Sequence, residues 1–210
     1  MDATTQEPRR RWYRSDWAVS PCMIALMLGA RSSLADHYHV PSGSMEYTIM
    51  TGDRVVIDKT AYGIRVPFSS IELIARGEPR RGDVVVFDSP ADGTRLIKRV
   101  AAVAGDTVTL RNGLLSINGR PLTADGGPNA SSGSIVEQFG SHVARLNLDA
   151  GGGPGVDSLV VPDGCVLALG DHRGNSFDSR YFGLVSADSI YGRALGVYYR
   201  RGEGLTWKPL

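Results

Sequence analysis

The chain has 210 residues, 42 % of them apolar and 21 % charged, with 23 Lys and Arg set against 22 Asp and Glu. That length predicts one domain, or one domain plus a tail. The formal charge of +1 excludes the broad basic footprint of a nucleic-acid binder, and two cysteines exclude a disulfide scaffold. With 26 Gly, 11 Pro and only 8 % aromatic residues, the composition suits a turn-rich, mostly β protein better than a helix bundle.

The N-terminal stretch stands apart. Arg9, Arg10, Arg11 and Arg14 form a basic cluster, and WAVSPCMIALMLGA (17–30) then carries no charge. As a helix this run rises about 1.5 Å per residue, short of a hydrocarbon core about 30 Å thick. It lengthens to residues 17–35 if Arg31 snorkels and the helix continues through Ser32, Ser33, Leu34 and Ala35. Trp12, Tyr13 and Trp17 are then placed to anchor the inner interface. The expected layout is a basic cytoplasmic tail (1–16), a single-pass membrane anchor (17–35) and an extracytoplasmic body (36–210) in the cell membrane. The second reading is a cleavable signal peptide with Gly29 and Ala30 as its small residues; a buried core helix is the third. Cys22 lies in the run and Cys165 in the body, so they are expected to stay unbonded, as small apolar residues.

From Val40 onward strand-like runs dominate: RVVID (54–58), DVVVFD (83–88), RLIKRVAAV (95–103), TVTL (107–110), LLSI (114–117), LVV (159–161), CVLAL (165–169) and LGVYY (195–199). Asn112-Gly113 between TVTLR and LLSI is a type I′ hairpin signal, and Asn118-Gly119 and Pro162-Asp163-Gly164 mark further turns. The later helix candidate is one turn capped by Ser186, through Asp188, Ser189 and Ile190. Residues 124–134 and 149–158 read as loops, with EQFGSHVARL (137–146) between them as an added hairpin strand. The expected plan is a β core of residues 38–120 and 158–205 holding a smaller inserted region at 121–157.

The chain lacks G-x-S-x-G, H-E-x-x-H, Walker and C-x-x-C signatures. His37 and His39 share a strand face compatible with a metal, though two imidazoles beside a loop read first as polar surface. Three segments remain. In PSGSM (41–45) small residues crowd around Ser44; taken alone this is a turn. In RLIKRV (95–100) alternation sets Leu96, Lys98 and Val100 on one face and Arg95, Ile97 and Arg99 on the other. Taken alone, Lys98 lays its stem on the sheet and its amine in water. Buried, it would lose the ammonium preference of a group with pKa near 10.4 and become a general base. LGDHRGNSFDSRYFG (169–183) balances Asp171 and Asp178 against Arg173 and Arg180, the mark of a structural ion-pair loop that can also hold Ser176 against a buried amine.

Together these segments resemble the type I signal peptidase family, the bacterial leader peptidases, which are Ser–Lys dyad serine proteases. The resemblance runs from the anchor to about Arg193, with PSGSM, TGDRVVIDKTAYGIRVP (51–67), RGDVVVFDSP, RLIKRVAAVAGD and GDHRGNSFDSRYFG in the family's order. It implies a coiled antiparallel β-sheet protease core with a small inserted β region. It implies Ser44 as nucleophile, Lys98 as neutral general base, and the Ser44 amide with the Ser42 hydroxyl as oxyanion hole. It implies Ser176 as the group that orients the Lys98 amine, with Asp178 and Arg180 as structural support, and no metal or cofactor. Two positions depart from the family: Tyr47 stands where Pro is common, and His172 where Asn is common.

The implied reaction is endoproteolytic removal of signal peptides from exported preproteins, after small-x-small motifs at the outer membrane surface. The expected partners are signal peptides and the lipid bilayer, with no nucleic acid, and the expected state is monomeric. A maturation peptidase for one substrate, such as a pilin, shares this mechanism, and a catalytically inactive membrane-tethered β binding module is the alternative outside enzymes.

Overall fold

The computed structural model describes residues 20, 21, 23, 35–65, 72–123 and 135–210. Most of the expected anchor and the loop 124–134 lie outside the described residues; Ser20, Pro21 and Met23 are helical. Among the described residues no helix is long and apolar enough to cross a membrane. Ala35, expected to close the anchor, instead opens a strand, β1 (Ala35–His39).

The molecule is mostly β, and its strand ladders are antiparallel. In chain order β1 is followed by β2 (Arg54–Asp58), β3 (Gly63–Arg65), β4 (Glu72–Ala75), β5 (Val84–Asp88) and β6 (Arg95–Val103). β7 (Thr107–Arg111), β8 (Leu114–Ile117) and β9 (Arg120–Pro121) form a meander. Asn112 and Gly113 both have positive φ at its first turn, and Asn118 and Gly119 at its second, as the Asn-Gly pairs require. The stretch 137–146, expected as one strand, is most of a hairpin: β10 (Ile135–Phe139) turns at Gly140 into β11 (His142–Leu146). The gain in pairing explains the difference, since the hairpin satisfies its own backbone donors. β12 (Val156–Val160), β13 (Cys165–Leu169), the single-turn helix α1 (Ser179–Phe182), β14 (Val185–Ser186), β15 (Ile190–Arg200) and β16 (Gly204–Pro209) complete the chain.

The main sheet runs β1-β2-β15-β5-β6-β13-β14, with β16 also paired to β15. β15 spans eleven residues and serves three partners: β5 beside Ile190–Arg193, β2 beside Arg193–Tyr199 and β16 beside Gly196–Arg200. A second sheet has the order β12-β7-β8-β9. β5 is apolar on both faces because both are covered. Val84 and Val86 enter a cluster with Val40, Met45, Ile49, Val55 and Ile57, while Val85 and Phe87 join Val100, Val166, Ala168, Val185 and Ile190. The second sheet supplies its own core of Val108, Leu110, Leu115 and Ile117 against Leu167 and Leu169. The inserted hairpin lies against the main domain at Gly82, where a Cβ would meet His142 Cβ at 2.8 Å and Phe139 Cβ at 2.9 Å.

Candidate active site

β1 leads directly into the loop that holds Ser44. Val40 is pinned at the loop's base: its amide donates to Asp53 O (3.0 Å) and its carbonyl accepts from the Gly52 amide (2.8 Å). The chain then winds through turns, Glu46 N–H to Gly43 O and Ile49 N–H to Met45 O. Met45 and Ile49 are fully buried in the core beneath. Each such side chain contributes roughly 1.5–3 kcal/mol, so burial on the inner face holds Ser44 toward the other.

Lys98 stands in the middle of β6, opposite Val85 of β5. Its strand neighbours on the same face, Leu96 and Val100, belong to the cluster around Phe87, and Ile97 packs into the opposite one. The expected alternation holds, and the amine does not reach water: Lys98 is 2 % exposed and Ser44 7 %. Lys98 Nζ lies 2.6 Å from Ser44 Oγ. Burial pushes the amine down from its ordinary 10.5 to about 8, against Asp178 and Asp171, whose carboxylates favour the ammonium, while Arg180 pushes further down. A neutral amine at this distance accepts the serine proton.

Ser42 is exposed two residues before Ser44. Among the described residues neither its hydroxyl nor the Ser44 amide is engaged in a hydrogen bond, so both remain available to an incoming oxygen. Ser176 is also brought to the site, but not into its expected contact. Its hydroxyl is buried and unpartnered among the described residues, and Lys98 bonds Ser44 instead. Ser176 is held close to the serine loop: its Oγ sits 2.2 Å from the position a Cβ would take at Gly170, and Ser44 O presses on the same spot at 2.5 Å. Only glycine admits both.

Asp178 and Arg180 pair with each other within the loop. Arg180 Nε donates to Asp178 Oδ1 (2.7 Å) and Nη2 to Oδ2 (2.8 Å), with both side chains buried. Asp178 also accepts from the Gly170 amide and caps α1. Arg180 reaches Gly152 O and Arg173 O. The other two charges pair outside the loop. Asp171 takes a bidentate contact from Arg99 of β6 at 2.9 and 2.7 Å and accepts from Thr48 of the serine loop. Arg173 pairs with buried Glu137 of β10 and donates to Gly113 O. Nothing in the sequence marks Arg99 or Glu137 as partners of the loop: Arg99 shares its strand face with Arg95 and Ile97, and both ion pairs form only across the fold.

His37 and His39 occupy the exposed face of β1, and among the described residues no group of three His, Cys, Asp or Glu is placed to hold a metal. Cys165 is free and half-buried.

A family model described as "Signal peptidase, peptidase S26" matches residues 14–199. Signal peptidase I of Pseudomonas aeruginosa is 34 % identical over 196 residues, spanning 84 % of this chain and 69 % of that relative. Probable signal peptidase I-2 of Synechocystis sp. is 30 % identical over 194 residues, spanning 89 % of this chain and 73 % of that relative. Among solved structures, a signal peptidase I from Enterococcus faecalis V583 is 36 % identical, covers 57 % of this chain and 98 % of its own, and has a TM-score of 0.40.

Proposed function

The chain belongs to the signal peptidase family, peptidase S26, and from that membership we propose that it is a membrane-anchored serine endopeptidase that cuts signal peptides through a Ser44–Lys98 dyad. Its relatives carry the name signal peptidase I, which supports removal of signal peptides as the activity. The single observation that supports the dyad is the contact of Lys98 Nζ with Ser44 Oγ, 2.6 Å long and buried.

In the proposed reaction the neutral Lys98 amine takes the Ser44 proton as Oγ attacks the scissile carbonyl. The Ser44 amide and Ser42 hydroxyl receive the oxyanion, and losing one such donor typically lowers kcat about 10²–10³-fold. The Lys98 ammonium returns the proton to the departing amine, and water then hydrolyses the acyl-enzyme by the same route. Once Oγ is acylated it no longer serves the lysine as before. Ser176, buried and without a partner among the described residues, is the hydroxyl available to orient the amine through that stage.

β1 ends the main sheet with one edge unpaired among the described residues and runs straight into Ser42 and Ser44. An extended signal-peptide end adds there as a further strand, with alternate side chains entering pockets that accept small residues. The run at 17–34 would tether this edge to the bilayer, with the body on the extracytoplasmic side. A dedicated maturation peptidase would use the same chemistry, and nothing in the site distinguishes it. The test is cleavage of a preprotein by the wild type, Ser44→Ala and Lys98→Met. Both variants are expected to lose cleavage, and near-normal cleavage by either one overturns the dyad.

A further inference from the structure

His172 is a buried imidazole, 6 % exposed, that the reaction above leaves unused. Its backbone amide donates to Ser44 O at 3.1 Å, so it touches the nucleophile's own residue. Its ring lies between two carboxylates from different parts of the chain. Nε2 is 2.7 Å from Asp149 Oδ1, on the connection between β11 and β12, and Nδ1 is 3.4 Å from Glu46 Oε2, on the serine loop. These are ion-pair distances, but neither nitrogen meets its carboxylate in hydrogen-bonding alignment. A neutral imidazole has one donor and one acceptor and can satisfy only one carboxylate; an imidazolium donates from both nitrogens and can bind both.

The position of Glu46 gives this consequence. Its Oε1 lies 2.7 Å from where a Cβ would stand on Gly43, so the carboxylate is folded over the residue that precedes the Ser44 amide. An unneutralised negative charge there opposes the charge that develops on the tetrahedral oxygen. The buried cations nearby do not compensate it, because each is already paired: Arg99 with Asp171, Arg173 with Glu137 and Arg180 with Asp178.

We propose that His172 is a positioning residue of the serine loop: its imidazolium ties Glu46 to Asp149 and removes the carboxylate's opposition to the oxyanion. This rests on the reading of Ser44 as nucleophile. The imidazolium favours turnover, and the advantage disappears as the ring loses its proton.

The test follows kcat/KM on a preprotein as a function of pH for the wild type, His172→Asn and His172→Gln, each with and without Glu46→Gln. The wild-type to His172→Asn ratio is expected to be roughly tenfold at the acid end, the weight of a charge-assisted hydrogen bond, and to fall toward one as pH rises. With Gln at position 46 the ratio should be flat. Glu46→Gln alone should gain on the wild type as pH rises, an arm that stands even if both His172 variants misfold. A ratio constant with pH, or the same fall in the Glu46→Gln background, overturns the proposal. Ser44→Ala is run beside them: cleavage by that variant means that the nucleophile reading has failed instead.

Discussion

At the scale of single residues the proposed chemistry turns on one amine. Alternation in RLIKRV sets Lys98 between Leu96 and Val100, yet by itself that pattern leaves the amine in water; the resemblance to the family is what singles the residue out. Its depth could not be read there, since that depends on Val85 of β5 and on the serine loop arriving from more than fifty positions away. Burial lowers the amine to about 8, so about one molecule in ten carries the neutral base at pH 7. We expect kcat/KM to rise with pH to a plateau above about 8, and this limb to be absent from whatever activity Lys98→Met retains. Stability carries the same signature with a defined sign. Between about 8 and 10.5 the unfolded chain holds the lysine proton and the folded chain has released it, so stability rises with pH in that window. A shift of this size corresponds to about 3 kcal/mol. The stability of the wild type relative to Lys98→Met, read from urea midpoints, is expected to be flat below pH 8 and to grow above it. A difference independent of pH would show that the lysine is not desolvated by the fold.

At the scale of elements the site depends on how the loop between β13 and β14 is tied to β6 and to the serine loop. Arg99 follows Lys98 and faces the other way, where it meets Asp171, and Asp171 in turn accepts from Thr48. Three segments distant in sequence are thereby fixed by one buried carboxylate. Its neighbour Asp178 caps the single turn of α1 and holds Arg180. The sequence showed that the loop's charges balance, yet only Asp178 and Arg180 pair within it; a balance of charge does not reveal which partners lie across the fold. The strands were most legible where alternation or Asn-Gly pairs were strong, as in β6 and the β7–β8 turn. β1, β3, β4, β9 and β16 carry weak or short patterns and are set by pairing to neighbours. Removing one partner of the Arg99–Asp171 pair strands the other as a buried charge, at a cost of about 3–5 kcal/mol. Asp171→Asn should therefore lower the melting temperature, while Arg99→Met combined with Asp171→Leu should recover much of the loss. Asp171 also favours the Lys98 ammonium, so Asp171→Asn should move the rising limb of the pH profile to lower pH. An unmoved limb would mean that Asp171 acts on stability alone.

At the scale of the whole molecule the near-zero charge conceals an uneven chain. A basic end and an uncharged run precede a body whose acids and bases are largely paired, several of them in buried bidentate contacts. The inserted hairpin is secured to that body by Glu137 and Arg173 and by the absence of a side chain at Gly82. Ala35 already belongs to β1, and five strand residues extend roughly 17 Å at about 3.3 Å each. An anchor ending at position 34 therefore leaves Ser44 within a short reach of the bilayer surface, on the edge where a substrate strand would pair. On the proposed reading, such a tether would serve encounter with membrane-embedded preproteins and not the bond-breaking step. Leu26→Arg with Leu28→Arg, each charge costing about 2.5–3.5 kcal/mol at a helix centre, should shift the full-length chain from the membrane to the soluble fraction. Cleavage of a short soluble peptide should persist in the variant, while cleavage of preproteins in vesicles should fall. Equal losses on both substrates would indicate that the N-terminal run supports the fold of the catalytic domain, and unchanged membrane association would remove residues 17–34 as the anchor.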